Sequence, residues 1–317
     1  MHPYVRDFSG QNGIQAVSAR RLSAGTTPSD KADCWVVDED ALTIDVAGVG
    51  TYTLMWTPTE SVAPAAGYLA GEGVLGEVAV PERLALALGF AFTEGIVAGL
   101  QDVVSMEVCP ERPDIVRISL VAPEQVKARR SNVLMTSSCG VCGGRDVLEN
   151  ELADSPRVSD TLRMAAADFV PLMDAMKQRQ AIFSITGGAH AAMVFSADQQ
   201  IQALAEDLGR HNALDKAIGK CLLQHKTLAG CGVMLSSRLS FEMIAKSARA
   251  GFELVAAVSA PSSLAIAMAE RLGLTLCGFV RGDCATVYTH PERIRELAST
   301  SDSVARAVPD LDQVRVS

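Results

Sequence analysis

The C-terminal half of the chain alternates short apolar runs with longer segments of helical spacing, and this alternation constrains the fold most. Strands are predicted at residues 181–185, 233–236, 254–258 and 274–280, and helices at residues 211–224, 241–250 and 261–272. Strands that alternate with helices of this length form right-handed β-α-β crossovers. The pattern therefore predicts an α/β fold with a mainly parallel sheet.

The N-terminal half shows a different pattern. Apolar and polar residues alternate from residue 34 to residue 56, and the break at Gly48-Val49-Gly50 predicts a β-hairpin. Pro81 opens a predicted helix that extends to Gly99, because proline is favoured in the first helical turn. A strand is predicted at residues 114–121 and a further helix at residues 160–178.

These patterns suggest four parts of the chain. We interpret residues 1–30 as a flexible arm, 31–130 as a β-rich N-terminal subdomain, 131–300 as the α/β core and 301–317 as a C-terminal tail. Residues 61–80 have no clear period, so we interpret them as a loop or an insertion in the subdomain.

Charge and hydropathy limit the partners. The net charge of −9 argues against a general nucleic-acid-binding surface. The N-terminus opens no apolar signal region, and the most apolar stretch, residues 84–92, is too short to cross a bilayer. We therefore expect a cytoplasmic protein with no nucleic-acid or membrane partner.

The most informative motif is Ser137-Ser138-Cys139-Gly140-Val141-Cys142-Gly143-Gly144, the one close-spaced pair among eight cysteines. Small neighbours leave both thiols accessible, and free backbone N–H groups favour the thiolate. A C-x-x-C pair can be half of a zinc site, a redox dithiol or a sulfur-transfer site.

The zinc interpretation has little support in the sequence. A structural zinc needs two more ligands, and the chain has no second C-x-x-C and no H-x₃₋₅-H. A zinc deaminase needs proline before the first cysteine and H-x-E or C-x-E upstream. Here Ser138 precedes Cys139, and Ala192 stands two residues after His190, so we predict no metal site.

Ligands of such α/β sheets bind beyond the carboxyl ends of the strands, where this chain has several polar segments. They are residues 186–190 with His190, 206–216 with Arg210, Asp215 and Lys216, 236–238 with Arg238, 259–263, and 279–284 with Arg281. From the residues alone, His190 could equally belong to a tight turn, residues 206–216 to a capped helix start, and residues 279–284 to a plain hairpin.

Together these segments, in this order over about residues 35–295, resemble the formate dehydrogenase accessory sulfurtransferase family (FdhD type). The longest shared motif is E-D-x-G-R-H-N-A-x-D-K at residues 206–216, and Ser240-Phe241-Glu242-Met243 also matches. The chain departs from the family at Trp56, which replaces arginine, and at Ser237, which replaces glycine.

The resemblance implies a cytidine-deaminase-like three-layer core without the deaminase zinc, next to the β-rich subdomain. It implies that Cys139 takes persulfide sulfur from a cysteine desulfurase with the help of Cys142. The sulfur is then delivered to the molybdenum bis(guanine dinucleotide) cofactor of the formate dehydrogenase catalytic subunit. A homodimer is expected.

It also implies a set of ligand residues. His190 would donate a hydrogen bond or a proton as sulfur leaves. The expected cofactor-binding residues, for which GDP would be an analogue, are Arg210, Asp215, Lys216, Arg238, Phe279, Val280, Arg281, Gly282, Asp283 and Cys284. Two rival functions are a non-catalytic chaperone that shelters the cofactor and a zinc-dependent nucleoside deaminase on the same fold.

Overall fold

The computed structural model describes residues 8, 10–20, 31–60, 66–75, 80–126, 133–135 and 157–298. Cys139, Cys142 and the predicted tail at residues 301–317 lie outside these residues. In chain order, the strands are β1 Ile14–Arg20, β2 Lys31–Val37, β3 Asp40–Val46, β4 Gly50–Trp56, β5 Gly67–Leu69, β6 Gly73–Leu75, β7 Val103–Val108, β8 Ile115–Leu120, β9 Val133–Met135, β10 His190–Phe195, β11 Ile201–Asp207, β12 Gly232–Leu235, β13 Leu254–Ala257, β14 Thr275–Arg281 and β15 Cys284–Thr289. The helices are α1 Glu82–Thr93, α2 Phe169–Arg179, α3 Ala181–Thr186, α4 Arg210–Leu223, α5 Phe241–Arg249 and α6 Ser263–Leu272.

The N-terminal strands form a mixed sheet in the order β6-β5-β7-β8-β3-β4-β9. The predicted hairpin is confirmed, since β3 and β4 pair antiparallel from Asp40↔Trp56 to Val46↔Gly50. Strand β9 pairs in parallel with β4, with Met135 opposite Leu54. Within residues 61–80, β5 and β6 form a short hairpin at the edge of this sheet.

The C-terminal strands form a second mixed sheet in the order β11-β10-β12-β13-β14-β15. Only β12, β13 and β14 pair in parallel, so the prediction of a mainly parallel sheet is wrong. The connections between β10 and β11 and between β14 and β15 are short turns. Such turns join antiparallel strands, because a parallel pair needs a long crossover.

Residues 181–185 are not a strand but the start of helix α3. The carboxylate of Glu206 accepts the N–H groups of Ile182 and Phe183 at 3.0 and 2.9 Å, and so satisfies the free donors of the first helical turn. The neighbouring strand begins instead at His190, and strand β11 was not predicted. The polar turn before His190 therefore follows a helix.

Other boundaries differ less. Helix α1 begins after Pro81 as predicted but ends at Thr93, where Gly95 adopts a positive φ of 78°. Helix α2 begins at Phe169, after the predicted start at residue 160. The arm predicted at residues 1–30 contains strand β1, which pairs antiparallel with β2.

Helices α1 and α4 pack closely between the two sheets. A Cβ atom at Gly89 of α1 would lie 1.8 Å from the carbonyl oxygen of Asp215 on α4, and one at Gly219 of α4 would lie 1.8 Å from the oxygen of Ala85 on α1. The helix backbones thus touch directly, and one apolar core runs through both sheets. A second core, with Phe169 of α2, covers the other face of the second sheet. Among the described residues, no helix is long and apolar enough to cross a membrane.

Candidate functional site

Most of the polar segments singled out in the sequence lie at one edge of the second sheet, the edge formed by the carboxyl ends of its parallel strands. His190, the first residue of β10, pairs with Asp207, the last residue of β11. Ala192 pairs with Leu235, the last residue of β12, so His190 lies just beyond the carboxyl end of β12. Helix α4 begins at Arg210 beside the same edge. The topology thus brings three predicted segments together.

His190, Arg210 and Arg238 are the predicted residues that lie close to one another here. Burial is the largest cause that lowers the pKa of His190, and the positive charges of Arg210 and Arg238 lower it further. Burial and then the charge of Arg238 lower the pKa of Arg210. We call the two guanidinium groups of Arg210 and Arg238, with the His190 ring beside them, the cationic cluster.

Arg210 has a buried, unsatisfied hydrogen-bond donor within the described part of the chain. Its Nε is buried and has no hydrogen-bond partner among the described residues. A buried guanidinium nitrogen without an acceptor is costly, and a second guanidinium nearby adds repulsion. An anion bound to the cationic cluster would relieve both effects, because guanidinium groups bind carboxylates and phosphates strongly.

Glu242 lies next to the cationic cluster and was not among the predicted site residues. Its carboxylate Oε2 lies 3.0 Å from Nε2 of His211, the second residue of α4. The hydrogen bond from His211 is the largest cause that lowers the pKa of Glu242. The pair joins the start of α4, where Arg210 lies, to the start of α5, which follows the loop that carries Arg238. Its only sequence signal is the position of Glu242 in the S-F-E-M match.

Lys216 is placed differently from the expectation. Its side chain is fully buried, and its ammonium group donates to the carbonyl oxygens of Thr57 at 2.9 Å and Glu206 at 3.1 Å. It also lies 2.8 Å from the Asp207 carboxylate. These partners occupy the ammonium group inside the protein, so its position does not fit direct contact with a ligand at the sheet edge.

Asp215 is buried in the core as well. Its carboxylate accepts hydrogen bonds from Lys246 and from the hydroxyl of Thr93, each at 2.8 Å. These bonds join α4 to α5 and to the end of α1. Asp215 therefore stabilises the packing of three helices, and this position does not fit ligand contact either.

Residues 279–284 form the end of β14 and its turn into β15, at the same edge of the sheet but one strand beyond β13. Val280 is buried, whereas Phe279, Arg281, Gly282, Asp283 and Cys284 are exposed. Phe279 adopts a positive φ of 53°, and its N–H donates to Ser259 O at 3.2 Å. The segment is thus a hairpin turn with exposed side chains at the carboxyl end of β14, the same end of the sheet as the cationic cluster.

Trp56, one of the departures noted in the sequence, is buried beneath the site. Its ring lies between the guanidinium carbon of Arg83 at 5.0 Å and Nζ of Lys216 at 4.9 Å. Both contacts have cation–π geometry. An arginine at this position would lose both cation–π contacts and place a third cation beside these two. Ser237, the other departure, is also buried.

Comparison with known proteins agrees with the sequence resemblance. Residues 78–295 match the FdhD/NarQ family. The sulfur carrier protein FdhD of Bordetella bronchiseptica is 35% identical over 298 residues, which cover 93% of this chain and 98% of that protein. The sulfur carrier protein FdhD of Sulfurisphaera tokodaii is 39% identical over 211 residues, covering 66% of this chain and 79% of that protein.

A solved structure supports the fold. A crystal structure assigned to a formate dehydrogenase accessory protein from Desulfotalea psychrophila matches with a TM-score of 0.66 and 20% identity. The match covers 89% of this chain and 99% of the other. At this identity the likeness concerns the fold. On the family match and the full-length relatives, the chain belongs to the FdhD/NarQ family.

Proposed function

We propose that this protein is a sulfurtransferase that carries persulfide sulfur on its C-x-x-C motif and delivers it to the molybdenum bis(guanine dinucleotide) cofactor during formate dehydrogenase maturation. The observation that carries the proposal is the cationic cluster, in which Arg210 Nε has no hydrogen-bond partner within the described part of the chain, next to the strands that precede the motif. The names of the relatives, sulfur carrier proteins, support the same function.

Strand β9 is the last described element before the C-x-x-C motif, and it pairs with β4 near the cationic cluster. It ends at Met135, opposite Leu54 in β4, and the next residue of β4, Met55, accepts a hydrogen bond from Asn212 in the first turn of α4 at 2.7 Å. Cys139 follows Met135 by four residues, and four residues span at most about 14 Å. The chain therefore tethers the motif to the strand beside the helix that carries Arg210.

Three of the cysteines in the described residues, Cys221, Cys277 and Cys284, are poorly suited to sulfur chemistry. Burial raises the pKa of Cys221 and Cys277 to about 12, so their thiols stay protonated at neutral pH. Cys284 is exposed, but its hydrogen bond to Asp283 raises its pKa. Because the thiolate is the nucleophile, these environments favour Cys139 and Cys142 as the sulfur carriers.

The proposed loading step is an exchange between persulfide and thiolate. The Cys139 thiolate attacks the terminal sulfur of the persulfide on the desulfurase, a new S–S bond forms, the old one breaks and the desulfurase cysteine leaves as a thiolate. Cys142 then takes over the terminal sulfur by the same exchange, or attacks Cys139 Sγ and forms a disulfide while HS⁻ leaves. In the second route the two thiolates supply the electrons, and a dithiol reductant must restore the pair.

The cationic cluster is proposed to hold the phosphates of the cofactor, with Arg281 at the end of β14 as a further contact. Since burial and two guanidinium groups lower the pKa of His190, its ring is neutral at pH 7 and can donate a hydrogen bond from one nitrogen. The proposal also includes a cysteine desulfurase as the sulfur donor. It further includes a homodimer in the cytoplasm with a cytidine-deaminase-like core.

The decisive experiment is intact-protein mass after incubation with a cysteine desulfurase and cysteine. The wild-type protein should gain one or more sulfur masses, and Cys139→Ala should lose most of this adduct and fail to activate formate dehydrogenase. Cys284→Ala is the matched control for loading, because it removes an exposed thiol outside the motif.

Three results would contradict the proposal. A full adduct on Cys139→Ala with normal activation would exclude Cys139 as the nucleophile. Normal maturation by a variant that lacks both Cys139 and Cys142 would instead indicate a chaperone. One tightly bound zinc per chain would favour the deaminase alternative.

A further inference from the structure

Asp207 is fully buried at the point where the two sheets meet next to the candidate site. Its carboxylate Oδ2 accepts the N–H of Thr57 at 3.0 Å and lies 2.8 Å from Nζ of Lys216. Its Oδ1 accepts the N–H of Gly209 at 2.9 Å and the side-chain amide of Asn212 at 3.1 Å. Both oxygens are therefore used, and the buried charge is paired, as a buried carboxylate requires.

These bonds join two segments that are distant in sequence. Thr57 follows directly after β4, whereas Gly209 and Asn212 belong to the turn and first helical turn after β11. The Thr57 hydroxyl accepts the N–H of Leu208 at 3.0 Å, which adds a second bond in the opposite direction. The end of β4 is thus clamped to the turn that precedes Arg210.

One side of this clamp carries residues of the cationic cluster, and the other side carries the strand pair that precedes the C-x-x-C motif. On one side, Asp207 is the partner of His190 in the β10–β11 register, and Arg210 follows three residues later. On the other side, β4 pairs with β9, from which the chain continues to the C-x-x-C motif. We propose that Asp207 is a positioning residue that holds His190 and Arg210 in place against the β4–β9 strand pair. This inference rests on the proposed function for the part that concerns sulfur delivery.

The electrostatics agree with this placement. The negative charge of Asp207 raises the pKa of His190, in opposition to burial and to the two arginines. Asp207→Asn should therefore lower the pKa of His190, because it removes the anion and leaves the nearby Lys216 charge unbalanced. A buried carboxylate far from His190 would have no such effect on it.

Glu253 provides a matched control. It is also fully buried and accepts two backbone N–H groups, those of Thr161 at 2.7 Å and Leu162 at 2.6 Å, with Nε of Arg293 3.4 Å away. It directly precedes β13 and so lies at the amino end of the parallel strands, opposite to the candidate site. Glu253→Gln should reduce stability as Asp207→Asn does but leave His190 unchanged.

The test is a pH titration of ¹⁵N-histidine-labelled full-length protein by NMR, with the His190 signal assigned by its absence in His190→Gln. GDP affinity is measured in parallel by calorimetry. We expect Asp207→Asn to lower the pKa of His190 and to weaken GDP binding about fivefold, the lower end of typical coupling between sites. We expect Glu253→Gln to change neither.

A second variant covers the case in which Asp207→Asn does not fold. The double variant Asp207→Asn, Lys216→Met removes both charges of the pair, and replacing a buried pair by neutral groups is often tolerated. It should still lower the pKa of His190, because the Asp207 anion is lost, but by less than Asp207→Asn does, since the Lys216 charge is removed as well. An unchanged pKa of His190 in the folded variants would overturn the positioning role. A lowered pKa together with no GDP binding by the wild-type protein would support positioning but contradict the proposed ligand.

Discussion

Gly89 on α1 lies against the backbone of Asp215 on α4, so closely that a Cβ atom at Gly89 would be 1.8 Å from the Asp215 carbonyl oxygen. The carbonyl cannot move away without displacing the helix, because α4 is buried between the two sheets. The same residue, Asp215, binds Lys246 through its side chain. One short stretch of α4 thus links α1 and α5 through both backbone and side chain.

The first prediction concerns this helix contact. Helix propensity alone would make Gly89→Ala stabilising by about 1 kcal/mol. The clash with Asp215 reverses the sign, and we expect the free energy of unfolding to fall by about 1–3 kcal/mol or more, as for other overpacked cores. Gly219→Ala should behave in the same way, because its Cβ would meet Ala85 O at 1.8 Å. Thermal unfolding followed by circular dichroism measures both, and an increase in stability would contradict the close contact.

The second prediction concerns anion binding at the sheet edge. Arg210→Ala and Arg281→Ala each remove one charge-assisted hydrogen-bond donor, worth about 1.5–3 kcal/mol, so GDP affinity should fall roughly ten- to a hundredfold. Arg271→Ala is the control, since Arg271 is exposed in the last turn of α6, which leads to the opposite end of β14. Calorimetry at constant salt checks all three. An unchanged affinity in Arg281→Ala would remove the β14–β15 turn from the site, and an unchanged affinity in Arg210→Ala would remove the cationic cluster.

The third prediction separates sulfur uptake from sulfur delivery. His190 lies beside Arg210 and Arg238, so its neutral ring is placed to donate a hydrogen bond or a proton where the ligand binds. His190→Ala should load persulfide normally but deliver it more slowly. The experiment loads the variant with radiolabelled sulfur and follows transfer to cofactor-bearing formate dehydrogenase. Failed loading with normal transfer of any loaded sulfur would place His190 in the uptake step instead.

The fourth prediction is a pH dependence of stability. Burial, and then Arg210 and Arg238, hold the pKa of His190 below its ordinary value of 6.5. Below pH 6.5, the unfolded chain therefore binds a proton at this position more readily than the folded protein does. Stability should fall as the pH decreases from 6.5 towards the lowered pKa, since protons favour the state that binds more of them. Urea unfolding between pH 7.5 and about pH 5 should show a smaller fall in His190→Gln than in the wild type. Equal pH dependence of the two proteins would show that His190 contributes nothing to it.

Several elements could be predicted from the sequence because local chemistry decides them. Pro81 fixes the start of α1, the helical spacing after Gly209 matches α4, and the turn at Gly282 joins two strands as expected. The order of motifs also indicated the family. In each case the signal lies within a few residues, where backbone preferences and side-chain periodicity act directly.

Tertiary structure alone decided the rest. Residues 181–185 suit a strand or a helix, and the carboxylate of Glu206, more than twenty residues away, selects the helix by capping its first turn. Lys216 has the sequence context of a surface charge, yet Asp207 and the carbonyl of Thr57 hold it inside the protein. A charge can be buried only where the fold supplies its partners, and one of these partners, Thr57, lies 159 residues from Lys216 in the chain. The sequence thus indicated the candidate site residues, and the meeting of the two sheets decided which of them lie at the carboxyl ends of the strands and which are buried in the core.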